Sequence, residues 1–307
     1  MIKYILRRIL VSILTLLVIV TFVFLLLRLL PGDPAQLYAG QNATMEDIER
    51  LRVQLNLDKP IHIQYGVFIS RLVRGDMGIS MRTNEPVWDE IKSRLPATIR
   101  LAVSGMFIAV LVGIPAGLFS AIKRYSFFDH LISTLTLVGV AMPVYWLGLM
   151  LIIVFAVKLR WFAAAGSQEG LRSLVLPAFT LAAFSMALIT RMTRASVLDV
   201  LSQEYITTAR AKGQKEHVIL YRHVLRNALI PVITVVGLQF GNLLGGSILT
   251  ETIFAWPGLG QLLTQSLFSR DYSTVQGVVL IFSGLFILVN LIVDLLYAYI
   301  DPRIQYD

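Results

Sequence analysis

The chain has 307 residues, 56% hydrophobic and 15% charged, with a net charge of +8 and no cysteine. A soluble domain carries about 25% charged residues, so the deficit names lipid as the main solvent. The absence of cysteine excludes thiol catalysis, thiolate metal sites and disulfides. The positive balance is that of a membrane protein whose basic residues gather on the cytoplasmic side, rather than that of a nucleic-acid binder.

Several apolar runs reach the roughly 20 residues that a helix needs to cross the hydrocarbon core. No ten-residue alternating segments of a barrel are present. The class is therefore all-α polytopic membrane protein. The first run, 9–30, follows Lys3, Arg7 and Arg8. It is longer than the h-region of a signal peptide and lacks a small-residue cleavage site, so it reads as an uncleaved span with the N-terminus in the cytoplasm. Arg28 near its far end is positioned to snorkel. Pro31-Gly32-Asp33-Pro34 then stops the helix.

Residues 31–97 are too polar to span and form an extracytoplasmic segment. Thr44 with Asp47 reads as a capping box, followed by Ile48, Leu51 and Leu55 on one helical face. Gly75-Asp76-Met77-Gly78 reads as a turn, and a short helix is predicted over 87–94. The segment is either a docking platform or a lid over the helix ends.

Residues 98–300 form a five-helix core. The predicted spans are 98–122, 131–157 with a kink at Pro143, 174–189, 228–249 and 275–300. Gly113, Pro115 and Gly117 lie within the first of these. Residues 191–226 carry seven Lys/Arg against three acids, whereas the loops 158–172 and 252–274 carry three and one. That asymmetry gives six spans with both termini cytoplasmic, the tail being 301–307.

The span at 228–249 holds the densest intramembrane polar signal. Gly237, Gly241 and Gly245 recur every four residues, a stripe for close helix packing. Gln239, Asn242 and Gly246 fall together on the opposite side. They line a translocation path or make interhelical hydrogen bonds. In the last span Asn290 and Asp294 are polar, and Asp294 is expected to pair with a basic residue of the cytoplasmic loops. No second acid is expected within the spans, which removes a proton relay.

The loop 196–227 is polar and basic. Ser202 is expected to cap a short helix running through Ile206 to Lys212, Gly213 to break it, and a second helix to run from about Glu216 to Arg226. Ala209, Ala211 and Gly213 let this turn seat closely in a groove, with Arg210 and Lys212 pairing with acids at the rim. An ordinary basic loop is the other reading. No phosphate-binding loop, H-E-x-x-H or G-x-S-x-G motif occurs. The four histidines, His62, His130, His217 and His223, form no metal-binding pattern. Any ATP is therefore bound by another chain.

From Tyr205 to Pro231 the sequence resembles the cytoplasmic loop of binding-protein-dependent ABC importer permeases. The family pattern is E-A-A, three residues, G, nine residues, I-x-L-P. Gly213 and Ala209 match it, while Thr207, Thr208 and His223-Val224-Leu225-Arg226 depart from it in the manner of the dipeptide/oligopeptide/nickel branch. Pro31-Gly32-Asp33-Pro34, Leu57-Asp58-Lys59-Pro60 with Gln64-Tyr65, and Gly75-Asp76-Met77-Gly78 with Ser80 resemble that branch too. So do Glu251-Thr252-Ile253-Phe254 with Pro257-Gly258-Leu259-Gly260, Asp294-Leu295-Leu296-Tyr297, and Asp301-Pro302-Arg303. Among subfamilies, glutathione and short-peptide permeases are nearest.

The resemblance implies the type I ABC importer permease fold in a bacterial inner membrane, and a non-catalytic subunit. Glu204, Tyr205, Thr208, Ala209, Arg210, Ala211, Lys212, Gly213 and His223 would then couple to an ATPase. The implied partners are a second homologous permease, two ATP-binding subunits carrying the ATP and magnesium, an extracytoplasmic binding protein, and membrane lipid. No cofactor is expected on this chain. The implied cargo is a short peptide such as a dipeptide, oligopeptide or glutathione. The alternatives are nickel or another small solute, or a stand-alone secondary transporter. Inverted repeats and buried charges, which would favour the last, are missing from the sequence.

Overall fold

A computed structural model describes residues 2–29, 34–39, 43–54 and 56–300. Among these residues the architecture is helical. Helix α1 (Ile2–Leu29) is the first span, and its outward face carries Leu10, Leu14, Val18 and Phe22 exposed for lipid. Three shorter helices follow: α2 (Pro34–Ala39), α3 (Met45–Gln54) and α4 (Ile61–Val73). At α3 the capping box is formed: Asp47 accepts from the Thr44 N–H at 3.2 Å and hydroxyl at 2.6 Å, and the Asp47 N–H returns to Thr44 Oγ1. Pro31-Gly32-Asp33, Leu55 and residues 301–307 lie outside the described residues, so the motifs predicted there are not placed.

Helix α5 runs unbroken from Val87 to Ile122. The short helix predicted over 87–94 is thus the first part of the span, and the chain passes Pro96 and Pro115 without breaking. Neighbouring helices hold a proline-bearing membrane helix in place. α5 packs along α8 (Leu171–Leu201). A Cβ on Gly113 would meet the Met186 carbonyl at 3.0 Å, and one on Gly117 the Thr190 carbonyl at 2.5 Å. These two glycines, one turn apart, let the α5 and α8 backbones come close together.

The predicted kink at Pro143 is a sharper break. α6 (Phe127–Ala141) and α7 (Val144–Leu151), continued by a π-helical stretch Ile152–Lys158, meet at 108°. Met142 takes φ −78°, ψ 126°, the extended geometry that a following proline ring imposes. Among the described residues, five helices are long and apolar enough to cross a membrane, or six if this bent pair is one span.

After α9 (Glu204–Ala211), the backbone turns helical at α10 (Glu216–Val218). It passes through a π-helical stretch Ile219–Leu225 into α11 (Arg226–Ile253). The second loop helix predicted to stop at Arg226 instead runs on into the membrane. A short α12 (Leu259–Phe268) precedes α13 (Tyr272–Ile300), which lies against α1.

Among the described residues, buried apolar side chains form three layers. The middle layer joins α5, α8 and α11 through Leu101, Met106, Leu181, Ile189, Val232 and Leu244, with Trp256 inserted. One end layer holds Leu27, Val87, Ile91, Leu262 and Val278. The other, Val197, Ile206, Ile219, Val224 and Ala228, supports α9.

Candidate functional site

The 202–226 loop forms an exposed basic knuckle with an apolar underside. Ile206 and Ala209, three apart on α9, point inward onto Ala121, Val197, Ile219 and Val224. Ala209 is therefore part of this chain's own core, a correction to its predicted place at a docking surface. Ala211 and Gly213 are exposed. Gly213 sits at φ +73° and closes α9 with a Schellman motif. Its N–H bonds Arg210 O at 2.9 Å, and the Gln214 N–H bonds Ala209 O at 3.3 Å.

Two further expectations are corrected here. Ser202 does not cap α9. Gln203 occupies the N-cap without a side-chain bond, and the Ser202 hydroxyl donates back to Asp199 O at 2.7 Å. Arg210 pairs within the chain: its Nε donates to Glu216 Oε1 at 2.7 Å, which raises the guanidinium pKa. The pair clamps α9 to α10 across the glycine turn. Behind it, His223 Nε2 meets Gln214 Oε1 at 3.0 Å, and Asn227 Nδ2 donates to the Tyr205 hydroxyl at 3.1 Å and to His223 O at 2.9 Å. The Thr208 hydroxyl bonds Glu204 O at 3.1 Å. What remains outward is Glu204, Lys212, Lys215, His217, Tyr221 and Arg222, a surface of mostly positive sign on a rigid mount.

The candidate path residues divide. Gln239 is 8% exposed and its Oε1 accepts from the Ser185 hydroxyl at 3.3 Å. It lines a cavity of about 740 Å³ with Ser133, Thr136, Arg191 and Arg194. Asn242 and Gly246 are exposed on a different side of α11, together with Leu238, Gly245 and Leu249. Of the glycine stripe, Gly237 abuts Val293 and Gly241 abuts Phe286, whereas a Cβ on Gly245 would meet nothing within 4 Å. Among the described residues Gly245 packs against no helix, and it joins the exposed face instead.

Other polar residues take partners that the sequence alone did not indicate. Asp294 pairs with Arg8 of α1 at 2.9 Å rather than with a loop cation. The spans also hold further acids, Asp129 and Glu251. Asp129 receives both arms of Arg194 and the Ser120 hydroxyl. Glu251, fully buried, accepts from the Thr98 hydroxyl at 2.7 Å and the Gly260 and Gln261 N–H groups at 2.7 and 3.2 Å. The available signal for Glu251 was Gly258 and Gly260 within ten residues of a carboxylate. A Cβ on Gly258 would run into it, and one on Gly260 would meet the Ile248 backbone at 2.5 Å and the carboxylate at 3.0 Å. At the same end Asp271 joins the Ser80 and Thr274 hydroxyls at 2.6 and 2.8 Å.

Comparison with known proteins gives this geometry a family. Residues 113–306 match the model described as binding-protein-dependent transport system inner membrane component, and residues 1–102 match its N-terminal companion. The chain is 43% identical over 333 residues to the dipeptide transport system permease protein DppB of Alkalihalophilus pseudofirmus. It is 47% identical over 306 residues to the glutathione transport system permease protein GsiC of Escherichia coli strain K12; both alignments cover 100% of each chain. In fold it resembles the inward-facing MetNI methionine ABC transporter, with a TM-score of 0.59 at 19% identity over 69% of this chain and 96% of that one. An amino acid ABC transporter solved with histidines matches at 0.52, covering 69% and 94%. The chain belongs to the family of binding-protein-dependent transport system inner membrane components, the permease subunits of ABC importers.

Proposed function

We propose that this chain is the permease subunit of an ATP-driven importer of short peptides, in which the 204–226 knuckle receives the work of a separate ATPase. The observation that carries this reading is the knuckle's construction. Its underside is locked into the core by Ile206 and Ala209, its turn is clamped by Arg210 and Glu216, and its outer surface is left to a partner. Any force applied there passes directly into α11. The names of the relatives, a dipeptide and a glutathione permease, support the cargo class.

A second, related permease would cover the face of α11 carrying Leu238, Asn242, Gly245, Gly246 and Leu249, so that the path runs between two chains. A binding protein would deliver cargo to the 34–87 side. By the distribution of basic residues the knuckle faces the cytoplasm. No nucleotide or magnesium is assigned to this chain; both belong to the ATPase.

The test is reconstitution in vesicles. The chain with a second permease, ATPase subunits and a binding protein should take up a labelled dipeptide or glutathione only with ATP, and the chain alone should take up neither. Uptake by the chain alone would replace this reading with a secondary transporter. Uptake of nickel but not peptide would reassign the cargo.

A further inference from the structure

At the end of the bundle opposite the knuckle, α1, α4 and α13 enclose a cavity of about 130 Å³ whose lining includes Arg28, Gln64, Arg71, Tyr272 and Gln276. A cavity of about 150 Å³ admits a benzene-sized guest, so the space suits a compact group such as a phosphodiester. Two of these lining residues carry buried donors that have no partner among the described residues, the Tyr272 hydroxyl and Gln276 Nε2. Tyr272 is 8% exposed. The two lie four apart, on one face of α13. An amide NH2 only donates, so the missing partner is an acceptor. Leaving such a group unpaired in a buried site is costly.

The charge in the lining is complementary to an acceptor-rich guest. Arg28 is held in place: its Nε donates to Gln64 Oε1 at 2.9 Å and its guanidinium lies 3.7 Å over the Phe24 ring. Arg71 adds a second cation. The acid in the lining, Asp76, has its Oδ1 engaged by the Gly78 N–H at 2.8 Å.

Depth favours a lipid source. Arg28 lies in the last turn of the first span and Tyr272 opens the last one, which is where spans leave the hydrocarbon for the headgroup layer. α4 lies on α1 at this level, with Phe24 against Tyr65 and Phe68 and with Thr21 on the Tyr65 hydroxyl at 2.6 Å. It leaves Ile61, Ile63 and Val73 exposed, as an interfacial helix does.

From these features we infer that the α1–α4–α13 cavity binds a phosphate-type oxyanion, supplied by the headgroup of an anionic phospholipid. Arg28 would balance its charge, while the Tyr272 hydroxyl and Gln276 amide donate to its oxygens. This inference does not depend on the importer reading.

Native mass spectrometry of the full-length chain, stripped of lipid and offered phosphatidylglycerol, diacylglycerol or inorganic phosphate, tests it. Phosphatidylglycerol should be retained and diacylglycerol should not. Tyr272→Phe, which removes a single oxygen atom, should weaken retention about tenfold, in keeping with the loss of one hydrogen bond to a charged group. Gln276→Leu should do likewise, and Arg28→Gln should weaken it at least as much. Competition by inorganic phosphate alone would leave the oxyanion site standing and name a free anion as its occupant. Equal retention by wild type, Tyr272→Phe and Gln276→Leu would overturn the proposal. So would binding of neither phospholipid nor phosphate, with water then the occupant.

Discussion

Arg194 reaches from α8 to Asp129 on α6 and holds both carboxylate oxygens, Nε to Oδ1 at 2.8 Å and a terminal nitrogen to Oδ2 at 2.9 Å. The Tyr125 N–H and the Ser120 hydroxyl complete the set of donors to this carboxylate. The Asp129 side chain is 3% exposed and that of Arg194 30%. Removing one member of a buried pair leaves the other charge uncompensated, at about 3–5 kcal/mol. Arg194→Gln, which leaves the buried Asp129 carboxylate unpaired, should therefore lower stability in detergent by roughly 3 kcal/mol, and Asp129→Asn somewhat less, because water reaches the Arg194 left behind. The double variant should recover part of the loss. Strict additivity in a thermal-melt cycle would show that the pair is not coupled.

Glu251 anchors α12 through three donors, from Thr98, Gly260 and Gln261. Glu251→Ala should cost about 3 kcal/mol by orphaning buried donors. Glu251→Gln should recover little of that, because its NH2 presents a donor to other donors. Trp256, 1% exposed with its Nε1 on Ala97 O at 3.0 Å, is the reporter. Its fluorescence should shift to the red in both variants.

Gly213 has a left-handed backbone, and a Cβ there would meet nothing within 4 Å. Gly213→Ala and Gly213→Trp should thus cost the isolated chain only the backbone strain, about 1–2 kcal/mol. In the assembled importer they should diverge, with Gly213→Trp abolishing ATP-driven uptake while the chain still inserts. Normal uptake by Gly213→Trp would remove the knuckle from the coupling surface.

Gly237 and Gly245 share a stripe but differ in surroundings. A Cβ on Gly237 collides with Val293, and one on Gly245 enters open space. Gly237→Leu should destabilise the chain by about 1–3 kcal/mol through overpacking. Gly245→Leu should leave the lone chain's melting point unchanged and weaken its co-purification with a second permease.

The α3 capping box should respond to acid. Hydrogen bonds from Thr44 hold the Asp47 carboxyl below its usual value of 3.8. A depressed carboxyl stabilises the helix start above its unfolded pKa, and that contribution fades as pH falls through the folded value. Amide exchange over Met45–Gln54 should quicken in strongly acidic solution, and Thr44→Ala should quicken it already at neutral pH.

Local signals served the sequence reading well. The apolar run lengths, the Thr44–Asp47 box and the turn at Gly213 are each written within a few residues, and each takes the predicted form. What was hidden depends on distant partners. Glu251 reads as a loop acid until Thr98, 153 positions away, and a returning glycine turn surround it. Asp129 and Arg194 are separated by 65 positions. Ala209 looks like a docking surface until Ile219 and Val224 fold beneath it. Arg210 looked available to a partner because its acid lies across a turn whose closure only the backbone reveals.

From Glu216 to Ile253 the backbone stays helical for 38 residues, a rod of roughly 55 Å at about 1.5 Å per residue. One tip carries the knuckle, and the other carries the carboxylate that grips α12. Such a member acts as a lever: a pivot of about 5° would sweep its far tip through about 5 Å. A stroke delivered at one tip would therefore arrive at the other as a displacement of α12, without any signal having to pass side chain by side chain.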